Sequence, residues 1–113
     1  MRPGSGSARF DSVPFVCLIR IDLHFPENGS LKGKRKELQS VKAQLHRRFG
    51  ASVAETGHHD LWQRSELSAA LVGREAGPVQ AARDDLERWV HARYPEGASV
   101  HGDLVSFGDV LDR

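Results

Sequence analysis

The chain has 113 residues, 39% of them hydrophobic, with 16 Lys or Arg against 15 Asp or Glu and an overall charge of +1. That is one domain's worth of chain with enough apolar content for a core, which excludes disorder by composition and a globally nucleic-acid-like charge. No stretch approaches the roughly 18 uncharged apolar residues of a membrane helix, so a soluble protein without membrane contact is expected.

Cys17 is the only cysteine, which leaves no intramolecular disulfide or cysteine-based metal cage and predicts a cytoplasmic, reducing environment. Residues 1–13 are rich in Gly and Ser and lack the apolar core of a secretory signal. They read as a flexible N-terminal extension to a single domain over 14–113.

From Pro14 to Phe25, Phe15, Cys17, Ile19, Ile21, Leu23 and Phe25 alternate with Val16, Leu18, Arg20, Asp22 and His24, the period of a strand with one apolar face. Pro26 to Gly29 breaks it and Ser30 stands as an N-cap. Leu31, Leu38, Val41, Leu45 and Phe49 then predict a helix over about 31–48, stopped by Gly50. Residues 51–58 and about 65–72 read as two strands, the second with Leu67, Ala69 and Leu71 on one face. Gly77-Pro78 opens a second helix with Val79, Ala82, Leu86, Trp89 and Val90 as its buried stripe, and Tyr94 to Gly97 ends it. A last strand is predicted over about 98–107, with irregularities at Gly102 and Gly108. The order β-α-β-β-α-β is the α+β, ferredoxin-like arrangement: a four-stranded antiparallel sheet, both helices on one face, and the first and third strands central.

Charge is unevenly placed. Between Ser30 and Phe49 stand seven cations (Lys32, Lys34, Arg35, Lys36, Lys42, Arg47 and Arg48) and one acid, Glu37, so this segment carries +6 and the rest of the chain −5. Cations in the first turn oppose the helix dipole and repel one another, a cost that a bound polyanion would offset. A solvated helix face chosen for solubility stands beside that reading, as does an acidic protein partner. The run from Gly29 to Arg35 is not a nucleotide P-loop, because three residues separate its glycines and Arg35 stands where a magnesium-binding hydroxyl would. Ser30, Lys32, Lys34 and Arg35 remain candidates to hold one phosphate at the helix start.

The densest run of chemistry is Glu55-Thr56-Gly57-His58-His59-Asp60-Leu61-Trp62-Gln63-Arg64. Glu55, His58, His59, Asp60 and Gln63 form a candidate loop site, while Trp62 and Arg64 are candidates for base stacking and phosphate contact. An acid–base pair or metal site built on His58 or His59 with Asp60 lacks a nucleophile or third carboxylate at a telling spacing. In the structural alternative, Leu61 and Trp62 tuck against the sheet edge and their polar neighbours satisfy the turn. His24 and His101, near Asp22 and Asp103, are expected on neighbouring strands of the open face as ordinary polar surface or a dimer contact. Trp89 and Phe107 are expected in the core, and Cys17 as a buried, unreactive thiol.

Two runs, Leu23 to Arg35 (LHFPENGSLKGKR) and Val53 to Leu67 (VAETGHHDLWQRSEL), resemble the YlxP-like family of small bacterial proteins, with similarity over about residues 14–110. The resemblance implies a ferredoxin-like fold, no enzymatic activity, and company with transcription-antitermination, translation-initiation and ribosome-maturation factors. It also marks two departures: Gly33 stands where relatives often carry an acid, and His59 where an amide is more usual. The loss at Gly33 costs about 1 kcal/mol of helix propensity.

The open sheet face offers no aromatic at Arg20, Asp22, His24, Glu66 or Ser68, against an RRM mode, and no GxxG loop supports a KH mode. The expected function is a non-enzymatic protein, without cofactor or metal, acting in small-subunit maturation or translation. It would dock on ribosomal RNA or the small ribosomal subunit through Lys32, Lys34, Arg35, Lys36, Lys42, Arg47 and Arg48, with Trp62 and Arg64 adding contacts. On that reading, Lys34→Glu with Arg35→Glu weakens binding without unfolding the domain. The runner-up is a protein-interaction module, or a homodimeric adaptor paired through the open sheet face, for an acidic translation or transcription factor; a small hydrolase built on His58 and Asp60 stands third.

Overall fold

The structure, a computed structural model, describes residues 13–111, so the expected extension lies almost wholly outside the described residues. Strand β1 (Phe15–His24) is followed by helix α1 (Leu31–Phe49), strands β2 (Ser52–Gly57) and β3 (Arg64–Gly73), helix α2 (Ala76–Arg93) and strand β4 (Ala98–Ser106). A single helical turn, α3 (Phe107–Leu111), follows β4 and takes Phe107, which the sequence reads as the end of the last strand.

The sheet order is β2-β3-β1-β4, every neighbouring pair is antiparallel, and the two central strands are β1 and β3. This is the ferredoxin-like arrangement that the element order predicts. The alternation of β1 sends Cys17, Ile19, Ile21 and Leu23 into the core, where they meet Leu67, Ala69 and Leu71 of β3 and Val100 of β4. Leu38, Val41 and Leu45 of α1, with Val79, Leu86 and Val90 of α2, close the cluster from one side. Burying aliphatic side chains of this size stabilises by roughly 1.5–3 kcal/mol each. Trp89 packs on the edge of this core, Phe107 is only half-buried and outside it, and Cys17 is buried with its thiol pKa raised by desolvation.

Helix α1 begins as its sequence dictates: Ser30 is extended, and its Oγ accepts from Gly33 N–H at 3.0 Å. It ends at Gly50, which takes a left-handed φ of 69° while its N–H donates to His46 O. In α2 the expected Pro78 falls at the third helical position, still within the turn whose N–H groups have no helical acceptor. Glu37, the lone acid of α1, ties the helices together by accepting from Arg93 Nη2 at 3.1 Å and from the Tyr94 hydroxyl.

The expected irregularity in β4 is absent, for β4 pairs with β1 in continuous register from Ala98 to Ser106. Gly102 is there for space. A Cβ on it would lie 2.9 Å from Ile19 Cγ1 and 3.3 Å from Leu18 O. The sheet is instead bulged in β2, where Glu55 faces Leu67 and Gly57 faces Glu66, leaving Thr56 as the extra residue. His24 and His101 do lie on neighbouring strands of the open face, but His101 stands opposite Arg20 and Asp103 opposite Leu18, so the register sets the two histidines four residues apart along the strands. Gly102→Ala is expected to lower stability by roughly 1–3 kcal/mol through overpacking, read as a fall in the urea midpoint at unchanged slope.

Candidate functional site

The two motif-bearing runs meet in space, and one side chain joins them. Lys34 lies four residues before Leu38 and seven before Val41, so it shares their helical phase and enters the protein with 2% of its surface exposed. Its ammonium donates to His58 O at 2.5 Å and to Leu61 O at 2.8 Å, and pairs with Glu55 Oε2 at 3.0 Å. These three acceptors match the three protons an ammonium can donate. Such compensation is required, because an ammonium withdrawn from water without partners is several kcal/mol unstable.

The β2 bulge and the backbone of His58 bring those acceptors into place. Before the bulge, Glu55 points to the helix side of the sheet, where it also accepts from Ser65 Oγ at 2.7 Å. After it, Thr56 binds Glu66 Oε1 at 2.9 Å and Ser68 Oγ at 2.7 Å. His58 then adopts a positive φ of 61°, the one non-glycine among the described residues to do so. That conformation costs a non-glycine residue on the order of 1–2 kcal/mol, and it turns the carbonyl of His58 toward Lys34. Burial opposes ionisation of Glu55, but the Ser65 hydroxyl and the Lys34 ammonium outweigh it and hold the carboxyl below its ordinary range.

Further bonds fasten the other end of the loop. Phe25 N–H donates to Gln63 O at 2.7 Å, Asn28 Nδ2 to Trp62 O at 2.5 Å, and Gln63 Nε2 to both Pro26 O and Asn28 O at 3.2 Å. At Gly33 a Cβ would come within 2.5 Å of Asn28 Oδ1, so a larger residue there requires the Asn28 side chain, which holds the Trp62 carbonyl, to shift.

The loop backbone is therefore tied down while its side chains face outward. Leu61 and Trp62 are 47% and 52% exposed, and His58, His59, Asp60, Gln63 and Arg64 are exposed. The expectation that Leu61 and Trp62 tuck against the sheet edge is not met. His59 Nδ1 lies 3.4 Å from Glu55 Oε1, yet among the described residues no three His, Cys, Asp or Glu are grouped to hold a metal ion.

The seven cations of the basic segment separate into distinct environments. Lys32, Arg35, Lys36 and Arg47 are exposed and Lys42 is half-buried. Arg48 binds Gln44 Oε1 at 2.8 Å and lies 5.9 Å from the Trp89 ring centre, so part of its capacity is used internally. Lys34 leaves the set altogether, a correction with a simple cause: its charge faces Glu55 and two carbonyls within the fold. The suggested phosphate cradle of Ser30, Lys32, Lys34 and Arg35 is thereby dismantled, since Ser30 Oγ caps the helix and Lys34 points inward. Lys34→Glu would place a second carboxylate beside Glu55, so that substitution is expected to unfold the domain, against the sequence expectation, and would not report on binding.

Lys34→Met is expected to destabilise the domain by roughly 3–5 kcal/mol, because it strands Glu55 and two carbonyls, whereas Lys32→Met stays within about 0.5 kcal/mol; urea unfolding distinguishes them. A carboxyl whose folded pKa is depressed contributes stability above the unfolded pKa and loses it as pH falls through the folded one. The wild-type urea midpoint should therefore fall more steeply on acidification below about pH 4 than that of Glu55→Gln.

Among the described residues no helix is long and apolar enough to cross a membrane. The fold is similar to De novo designed protein Foldit4, with a TM-score of 0.54 at 11% identity, covering 81% of this chain and 96% of that one. Over 44 residues the chain is 39% identical to the Uncharacterized protein YlxP of Bacillus subtilis (strain 168). That match takes in 39% of this chain and 48% of the relative, so it spans about half the relative's length. A family model described as Protein of unknown function (DUF503) matches residues 16–101, a span that includes both stitched runs, Lys34 among them. The chain belongs to the DUF503 family.

Proposed function

We propose that this protein is a non-enzymatic, cytoplasmic RNA-binding protein that docks on ribosomal RNA of the small subunit, in its maturation or in translation. The exposed cations Lys32, Arg35, Lys36 and Arg47 of α1 are its phosphate contacts, with Lys42 at the margin. The observation that carries this reading is an uncompensated basic helix. Among the described residues, the ion pairs made by α1 are Lys34 with Glu55 and Glu37 with Arg93, and no acid stands in its first turn. A surface left this basic, with Lys32 set against the dipole at the helix start, suits a polyanion, whose condensed counterions are released on contact. The company implied by the YlxP-like resemblance supports ribosomal RNA as the polyanion.

A second reading is favoured by the open sheet face. At one end of it Leu18 and Val72 are 55% and 65% exposed, beside half-buried Val16, Ala70 and Val105. An apolar patch of this kind suits a protein partner or a second copy.

Co-sedimentation with small ribosomal subunits at low and moderate salt tests the first reading, using Arg35→Glu with Lys36→Glu, two exposed positions that leave the Lys34 contacts intact. Each reversal is expected to weaken binding and lower the log–log salt slope by about 1. Binding that is insensitive to salt and to both substitutions would contradict RNA docking. Concentration-dependent mass, abolished by Leu18→Lys, would favour the second reading.

A further inference from the structure

A shallow, open cavity of about 490 Å³ lies at the surface beside the loop, lined by His24, Asp60, Leu61, Trp62, Gln63 and Arg64. Its chemistry is particular. One large ring, half exposed, stands among an acceptor (Asp60), a donor (Arg64), an amide and an imidazole. An apolar side chain of a protein partner would leave those polar groups without partners, whereas a flat ligand with polar edges satisfies both ring and rim. A nucleobase has that shape, and stacking on an exposed aromatic is how unpaired bases are held.

The cavity wall is also already built. Asn28 Nδ2 holds the Trp62 carbonyl, Lys34 holds the Leu61 carbonyl, and Gln63 spends its Nε2 on Pro26 and Asn28, which leaves its amide oxygen as the remaining acceptor. Binding here needs little ordering of the loop, which removes one of the usual costs of recognition. Arg64 and His24 lie opposite each other in the β1–β3 register, so cationic and imidazole groups stand together at the mouth, where a strand's phosphates would pass.

We infer that this cavity takes a single unpaired guanine of an RNA loop, stacked on Trp62, with its Watson–Crick edge on the Asp60 carboxylate and its flanking phosphate on Arg64. Guanine is singled out by the acceptor. Its N1–H and N2 amino group are two adjacent donors that a carboxylate accepts together, whereas adenine, cytosine and uracil each place an acceptor beside their donor. The inference rests on the RNA-docking reading and adds to it a base, a loop and a source of selectivity that phosphate contacts lack.

The test uses a short RNA hairpin with one unpaired loop guanine, its three counterparts with adenine, cytosine or uracil, and a blunt RNA duplex. Fluorescence anisotropy gives affinities, and quenching of tryptophan emission reports stacking. The guanine hairpin is expected to bind best and to quench. Trp62→Ala should weaken it roughly tenfold while leaving the duplex unchanged, and Asp60→Asn should erase the preference for guanine. Both side chains are exposed, so neither substitution threatens the fold. Salt-sensitive binding of all five RNAs with equal affinity, unaffected by Trp62→Ala, would overturn the guanine site and leave helix docking standing. Failure of every RNA to bind at low salt would overturn both.

Discussion

A lysine ammonium taken out of water is stable only if each of its protons finds an acceptor, and the fold around Lys34 is arranged to meet that requirement. The acceptors come from two elements distant in the chain. Glu55 is turned toward the helices before the bulge of β2, and the carbonyls of His58 and Leu61 belong to the loop beyond it. Removing the lysine would leave the positive φ of His58 without its reward and the loop without its anchor to α1. The hydrophobic core sets the sheet and helices; the ammonium sets the loop upon them.

One consequence is a division of labour among cations that are indistinguishable by type. Lys34 is consumed by structure, Arg48 is shared between Gln44 and Trp89, and Lys32, Arg35, Lys36 and Arg47 face outward. Holding the loop by its backbone leaves Trp62, Asp60 and Arg64 available at the surface, next to the helix that carries the exposed charge. Binding residues on a loop fixed by a rigid sheet need little rearrangement to engage a partner. The same stitching gives roles to residues that look incidental, because Asn28 holds Trp62 O and Gln63 holds Pro26 O and Asn28 O.

The architecture was legible because period-2 alternation in β1 and β3 and the 3.6-residue stripes of both helices point to a single apolar layer. Residues 15–25 and 67–71 needed no tertiary information to be placed. Gly102 misled, since a glycine in a strand signals either a bulge or a close approach, and only the position of Ile19 decides between them. The terminal turn α3 was hidden for a related reason: the alternation of β4 runs on into Phe107, and nothing local marks the change. Lys34 was the costlier miss, although its phase with Leu38, Val41 and Leu45 was visible. Counting it by charge alone put it on the surface, and its partners lie more than twenty residues away. The open face was read from its polar half, and the exposure of Leu18 and Val72 required the register of three strands. Glu37 illustrates the same limit, as a lone acid in a basic helix whose use, binding Arg93 and Tyr94, depends on how the helices meet.

The central claim, that buried Lys34 locks the 58–63 loop onto the scaffold as one rigid surface, is tested most directly by native-state amide hydrogen exchange at Phe25 and Leu61. The Phe25 amide donates to Gln63 O and the Leu61 amide to His58 O, so both report opening of the loop itself. In the wild-type protein they should exchange nearly as slowly as the central-strand amides of Ile19 and Ile21, by the same global opening. In Lys34→Met they should become much faster than those strands. Rapid exchange of Phe25 and Leu61 in the wild type, with β1 still protected, would contradict the account.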